Sequence, residues 1–488
     1  MSRSFQQRLA DLADEDPERV AVQCGEAQVT RLQLVSSARR LAHKLRGLGV
    51  AHGDLVTISL PNSTDWFAAC AAAWFIGATP QPVSPRLPAR ELRAVLDVAR
   101  PAAVVGMSPD VAETLLGTSR TAFVGCEALF VADDDGPLPE VISPAWKAPT
   151  SGGSTGTPKV IVSGDPAVFD PAAATRLKLN ENGRLFMPAP LYHNGPGVWS
   201  WQQLLAGGSV VALERFDAEA TLHAVEHSEA DAVYLVPTMM RRILRLPDPI
   251  RSRYSWRSVR VVWHMAEPCP PWLKQAWIDW LGPERIWESY GGTEAQVTTN
   301  ISGVEWLAHP GSVGQPKNGE IAIRDESGHD LRPGEIGEIW FRSARSTPTY
   351  QYIGATPRAM DGGWESIGDI GWTDADGYLY LSDRATDMIV VGGQNVYPAE
   401  VEAALLEHPQ VKSAAVIGLP DDDRGSSIHA IIEAAPEGLD ADALVAFAAE
   451  RLERYKQPHS VEFINEPLRD DAGKVRRSEL RSQRLKQS

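Results

Sequence analysis

Ser151-Gly-Gly-Ser-Thr-Gly-Thr-Pro-Lys159 gathers small residues, hydroxyls and one lysine into a single stretch. Its glycines let the backbone approach an anion and turn N–H groups towards it. Ser154, Thr155 and Thr157 add hydroxyl donors, and Lys159 adds a positive charge. Such a loop can wrap a polyphosphate. Taken alone, a Gly/Ser/Thr run is more often a surface loop or linker. It is not a Walker A sequence, because Gly-x-x-x-x-Gly-Lys-Ser/Thr is absent from it. The remaining chain decides between the two readings.

Working outward, short apolar strands alternate with helices. Leu55–Leu60 reads as a strand ended by Pro61-Asn62, and Ser63 can cap a helix running to about Ile76. Leu87–Val98 reads as a helix and Ala102–Met107 as a buried strand. Ser209–Leu213, Ala232–Val236 and Val259–Trp263 repeat the Val-rich pattern, with helices near Asp217–His227 and Trp272–Leu281. This alternation predicts α/β layers around largely parallel sheets. After about Gly311 the pattern changes to strands at Ile321–Arg324 and Glu338–Arg342, a small β-rich subdomain. From about Ala385 an α+β unit of about 100 residues follows, an ordinary domain size. The expected division is residues 1–384 and 385–488.

The chain has 488 residues and a net charge of −16, from 47 basic and 63 acidic side chains. That balance disfavours nonspecific nucleic-acid or anionic-membrane binding but leaves room for a local basic nucleotide pocket. The longest nearly apolar run, Trp66 to Ala78, is too short to span a bilayer. The N-terminal stretch lacks the apolar core of a signal peptide. Cys24, Cys70, Cys126 and Cys269 show no metal-type spacing. A cytoplasmic protein with reduced thiols is expected.

Four further segments carry chemistry. In Tyr290-Gly-Gly-Thr-Glu294, Gly291 and its neighbour allow close approach to a ligand. Thr293 can then contact a phosphate, and Glu294 can bind a hard cation such as Mg²⁺. Asp369 stands between glycines and can accept bonds from both ribose hydroxyls, or form a simple Asx-turn. Arg384, in a charged turn before Gly392-Gly393, can pair with ribose or phosphate oxygens. Lys474, in Asp471-Ala-Gly-Lys474, can serve as a mobile cation for developing negative charge.

In this order and spacing the segments resemble the adenylate-forming superfamily of acyl-CoA synthetases, adenylation domains and luciferases. The resemblance covers nearly the whole chain. It implies a large N-terminal domain of layered α/β subdomains with a small β-rich subdomain, then a small mobile α+β domain. It implies that the loop from Ser151 through Ser154, Thr155, Gly156 and Thr157 to Lys159 grips the β- and γ-phosphates of ATP. Thr293 would meet a phosphate, Glu294 would hold Mg²⁺, and Asp369 would bind the ribose beside Arg384, with Tyr290 and Gly291 in the same nucleotide site. Lys474 would bridge the reacting carboxylate and phosphate. Rotation about a hinge at Ala385 and Thr386 would then remove Lys474 and bring the Gly392–Gly393 face to the site, where CoA displaces AMP.

Pro190-Leu-Tyr-His-Asn-Gly-Pro196 resembles the segment that opens the acyl pocket, where His193 lines or gates it in relatives or serves as a satisfied structural histidine. This text, with Tyr234–Met240 and His264–Trp272, looks most like the bile-acid and steroid CoA ligase branch. Trp199, Trp201 and Trp263 would then fit a wide aromatic cavity beside His264, or plain core. The chain departs from the family at Val160, often glycine, and at Thr386, often Asp or Lys. It also carries Glu267 where many relatives have a small residue. That carboxylate is expected to pair either with an amine or hydroxyl of the substrate or with a nearby arginine. The extra glycine in the phosphate loop predicts a looser loop, ordered only with ATP.

The expected function is ATP-dependent carboxylate–CoA ligation, with a bulky, cyclic or aromatic acid as partner and a homodimer as an allowed assembly. The alternatives are loading of a carrier protein, a nitrite-dependent diazotase acting on an arylamine, and a non-catalytic nucleotide-binding relative.

Overall fold

The structure is a computed structural model. It describes residues 3–116, 121–126, 129–130, 134–152, 158–384, 386–391, 393–421, 424–434, 439–470 and 473–486.

Near the N-terminus, parallel strands stand in the order Thr79–Pro82, Leu55–Ile58, Ala103–Val105, Ala122–Val124. The helix Thr64–Phe75 connects the first pair in sequence. Ser63 Oγ caps it by accepting from the Trp66 amide at 3.2 Å. Its residues from Trp66 to Phe75 are all buried. A helix apolar all round must lie inside a layered domain, and this one does. Helix Ala89–Ala99 follows, with its apolar face on the core.

A second sheet carries the site. Parallel strands Val20–Cys24, Ser209–Ala212, Arg184–Met187, Ala232–Leu235, Val261–His264 and Ile286–Gly291 lie side by side. Thr298–Ser302 then returns antiparallel on Ile286–Gly291 and is followed by Ser312–Pro316. From there the sheet continues without a break into Leu379–Arg384, Asp369–Thr373, Gly337–Ser343 and Gly319–Arg324. The expected β-rich subdomain therefore exists as the antiparallel end of one fifteen-stranded sheet. It has its own small core of Val297, Val313, Ile323, Ile339, Phe341 and Leu379.

From residue 386 onward the chain builds a separate core around Val396, Val401, Leu405, Val416, Ile432 and Leu444. Helix Pro398–Leu406 packs on the hairpin Val411–Asp421 and Gly425–Ala434, with Ser460–Ile464 parallel to the second strand. This matches the expected α+β unit. The hairpin is longer than the sequence patterning suggests, and a further hairpin, Ile389–Val391 with Gln394–Val396, precedes it.

Candidate active site

The two ends of the phosphate-loop stretch lie on paired antiparallel strands. Ser151 and Lys159 are register partners on strands Thr150–Gly152 and Pro158–Ser163. Ser154, Thr155, Gly156 and Thr157 lie outside the described residues, and so does the expectation about loop order. Val160 is buried with Ala99 and Ala148, so a β-branched residue fills core where glycine would leave a gap.

Lys159 reaches across to the other half of the site. Its Nζ donates to Glu294 Oε1 at 3.1 Å and to the Tyr352 hydroxyl oxygen at 2.8 Å. The Tyr352 hydroxyl in turn donates to Glu294 Oε1 at 2.6 Å. Strand Tyr350–Ile353 runs antiparallel to Pro158–Ser163, which fixes this triangle. Glu294 is buried. Gly292 leaves room for it: a Cβ there would come within 2.7 Å of Glu294 Oε2. Thr293, half-buried, occupies the same turn. One buried carboxylate beside a phosphate loop suits Mg²⁺, which prefers one or two carboxylates and takes its other oxygens from phosphate and water.

Asp369 opens strand Asp369–Thr373 and is the register partner of Arg384. The Tyr290 hydroxyl donates to Asp369 Oδ2 at 2.6 Å, and Arg384 Nε lies 3.5 Å from Oδ1. Burial pushes the Asp369 carboxyl above its usual range, opposed by Arg384 and Tyr290.

Lys474 comes from the C-terminal unit. Gly473 before it has φ +78°, and the Asp470 carboxylate accepts from the Lys474 amide at 2.9 Å, so the turn is tight. The residue as a whole is exposed, yet its ammonium is pushed below the usual lysine range. Desolvation is the main cause and Arg384 adds to it, while Asp470, Glu294 and Asp369 oppose. Asp369 and Arg384 lie together, and Gly473, next to Lys474, packs against Glu267 of the N-terminal unit.

One member escaped the sequence reading. Lys147 donates to Asn194 Oδ1, and its ammonium sits 4.9 Å from the centre of the Trp146 ring. Burial pushes it down to about 8, against the charges of Asp165 and Glu294. A lone lysine without a motif gave no signal.

On the acyl side, His193 occupies the N-cap position of helix Asn194–Leu205, its ring 4.6 Å from Tyr192. Trp199 packs edge-on against Tyr234 and Trp263, each at 5.8 Å. Trp263 is fully buried and donates to the Leu177 carbonyl at 2.7 Å. His264 is also fully buried, beside the Lys274–Glu288 ion pair of 2.7 Å, and burial holds it neutral, well below its usual range. Trp201 sits 4.5 Å from Trp74 and close to Phe67, inside the core. Trp201, Trp263 and His264 are therefore core residues.

Glu267 follows Ala266, which holds a left-handed φ of 75°. Its Oε2 accepts from Thr238 Oγ1 at 2.8 Å and lies 4.0 Å from Arg469 Nη1. Of the two partners expected for it, the arginine is present, and it comes from the C-terminal unit. Thr386 Oγ1 donates to Asp387 Oδ1 at 3.5 Å, and Asp387 Oδ2 accepts from Arg477 Nη1 at 2.9 Å. Gly393 belongs to the turn between Ile389–Val391 and Gln394–Val396. Ala385 and Gly392 lie outside the described residues.

Comparison with known proteins agrees with this geometry. The AMP-binding enzyme family matches residues 9–351, and the AMP-binding enzyme C-terminal domain matches residues 400–474. A feruloyl-CoA synthase from an Amycolatopsis species is 33% identical over 481 residues, covering 95% of this chain and 96% of that protein. The o-succinylbenzoate-CoA synthetase of Bacillus subtilis, solved with its acyl-adenylate intermediate, superposes with a TM-score of 0.84 at 25% identity, covering 98% of both chains. The same enzyme has been solved with ATP and a magnesium ion. An amide bond synthetase from Marinactinospora thermotolerans gives a TM-score of 0.80 at 28% identity, covering 99% of this chain and 100% of that one. Matched along nearly its whole length, the chain belongs to the AMP-binding enzyme family of adenylate-forming ligases.

Proposed function

We propose that the chain activates an aromatic carboxylic acid as its acyl-adenylate and passes the acyl group to the thiol of CoA. The observation that carries this reading is the contact that brings the Lys474 segment of the C-terminal unit onto the N-terminal unit, where Gly473 packs against Glu267. In the first half-reaction the acid's carboxylate attacks the α-phosphorus of ATP and pyrophosphate leaves. Lys474 places its positive charge where the carboxylate and α-phosphate oxygens meet, and Lys159 with the Ser151 hairpin neutralises the departing pyrophosphate. Glu294 would hold Mg²⁺, which when bound supplies further charge neutralisation on the phosphates. Asp369 and Arg384 orient the ribose, and Thr293 meets a phosphate. Rotation at Thr386 then exchanges the Lys474 face for the Gly393 face, and the thiol displaces AMP.

The named relatives act on ferulate and succinylbenzoate, so we favour an aryl acid over a steroid. Every site residue comes from one chain, so catalysis needs no second copy, although a homodimer is compatible with it. We place the protein in the cytoplasm: its four cysteines are free, and among the described residues no helix is long and apolar enough to cross a membrane. The test is ATP–pyrophosphate exchange across a panel of aryl acids, followed by mass detection of acyl-CoA. Exchange with no acid would overturn the reading. A second reading keeps the adenylate and changes the acceptor to an amine, supported by the likeness to the amide bond synthetase. Amide without thioester in the same assay would select it.

A further inference from the structure

Arg469 is largely buried in the C-terminal unit, yet it reaches towards the other domain. Its Nη2 donates to Glu402 Oε2 at 3.2 Å and to the Ala414 carbonyl at 3.3 Å, and only 12% of its side chain is exposed. Glu402 is buried and already engaged: its Oε1 accepts from the Val416 amide at 2.9 Å and from Arg477 Nη2 at 2.8 Å. These bonds fix the guanidinium in its own domain. Its remaining face does two things at once. Nη1 donates to the carbonyl of Gly473 at 2.9 Å, and the same Nη1 lies 4.0 Å from Glu267 Oε2 in the N-terminal domain.

Glu267 is shaped to receive this turn. Its side chain is only 5% exposed. Thr238 donates to Oε2, and the guanidinium of Arg241, itself buried, reaches Thr238 Oγ1 at 3.4 Å. Oε1 has no hydrogen-bond partner among the described residues, and it lies directly against the Cα of Gly473. A Cβ at residue 473 would overlap that oxygen. Glycine is therefore required at 473 twice, for its positive φ and for this contact. The next residue is Lys474. The carboxylate edge that a substrate amine would need is covered by the turn that carries the lysine.

We infer that Arg469 is a positioning residue for Lys474, and that it works by seating Gly473, the residue before the lysine, on Glu267 across the domain boundary. This rests on the reading of Lys474 as the adenylation lysine. The contact joins two domains, so it exists only while the lysine is in the cleft. When the C-terminal unit rotates, Glu267 keeps Thr238 and Arg241 and loses Arg469 and Gly473. The pair therefore favours the adenylating arrangement and has no partner-forming role in the thiol-accepting one.

The test uses the full chain and measures ATP–pyrophosphate exchange and thiolysis of supplied acyl-adenylate separately. A turn displaced by about 1 Å costs about 10²-fold, so Arg469→Ala should slow exchange by about that factor while thiolysis and the KM for the acid stay within about twofold. Glu267→Gln should slow exchange less, and the double variant should be no slower than Arg469→Ala, because both remove one contact. Arg469→Lys should recover part of the rate, since lysine keeps the charge but not the fork. Equal loss in both half-reactions, additive single effects, or a raised acid KM in Glu267→Gln with exchange kcat intact would each overturn the inference; the last would make Glu267 a substrate contact. Should Arg469→Ala fail to fold, Glu267→Gln and Arg469→Lys carry the same comparison. Intact exchange in Lys474→Ala would instead remove the adenylation reading itself.

Discussion

Lys159 and Glu294 form an ion pair at 3.1 Å that joins the phosphate-loop hairpin to the turn after strand Ile286–Gly291. The Tyr352 hydroxyl bonds to the same carboxylate oxygen, so the pair is held from a third side. In the proposed function Lys159 would meet pyrophosphate and Glu294 would hold Mg²⁺, so MgATP would take the place of this pair. The pair itself keeps a buried carboxylate from standing alone.

Glu294→Gln preserves the shape and removes the charge. Exchange should fall about 10²-fold, the scale of losing one placed charge, and the Mg²⁺ concentration for half-maximal exchange should rise. Titration of Mg²⁺ at saturating ATP checks this. An unchanged Mg²⁺ midpoint would move the metal site elsewhere.

Lys474→Ala should separate the half-reactions. Adenylation should fall about 10²–10³-fold, while thiolysis of supplied acyl-adenylate is largely spared. Single-turnover measurements of AMP and of thioester distinguish the two. Equal loss would contradict alternation of the C-terminal unit.

Lys147 gives a pH signature. Its folded-state pKa, pushed down to about 8, lies below the unfolded value of 10.5. The unfolded chain therefore binds more protons between those values, and stability must rise with pH across that window. Below about pH 8 the cost of burying the ammonium is constant. Thermal melts of wild type and Lys147→Met should show a difference that is flat below pH 8 and shifts in favour of wild type from pH 8 to 10.5. A flat difference throughout would place the ammonium in contact with water.

Trp201→Ala should behave as a core deletion. It is 2% exposed and packs on Trp74 and Phe67, so about 3–5 kcal/mol of stability should be lost. The ranking of acids in the exchange assay should not change. A reordered ranking would return Trp201 to the substrate pocket.

The elements that could be read from sequence are those whose burial is written into periodicity or capping. Ser63 and the apolar run after it specify helix Thr64–Phe75 locally. The Val-rich strands are buried on both faces, so they read as continuous apolar runs. Helix Arg477–Leu485 was not anticipated, because it is mostly charged and packs chiefly through Leu480. The hairpin Ile389–Val391 with Gln394–Val396 has no clear signature in the sequence, since two three-residue strands carry too little pattern. Glu294, Asp369, Arg384 and Lys474 stand out in the sequence because each lies in a glycine-marked or charged turn. The Glu267–Arg469 contact and the Lys147–Asn194 bond were not, because each joins segments that only the tertiary fold brings together.

One sheet runs unbroken from Val20–Cys24 through Ile286–Gly291 to Asp369–Thr373 and Leu379–Arg384. The strands that back the acyl pocket and those that carry the ribose aspartate are thus parts of a single stiff plate. A change at one end of that plate is therefore felt at the other, so the acid and the nucleotide are held in one frame while the C-terminal unit alone is left to move.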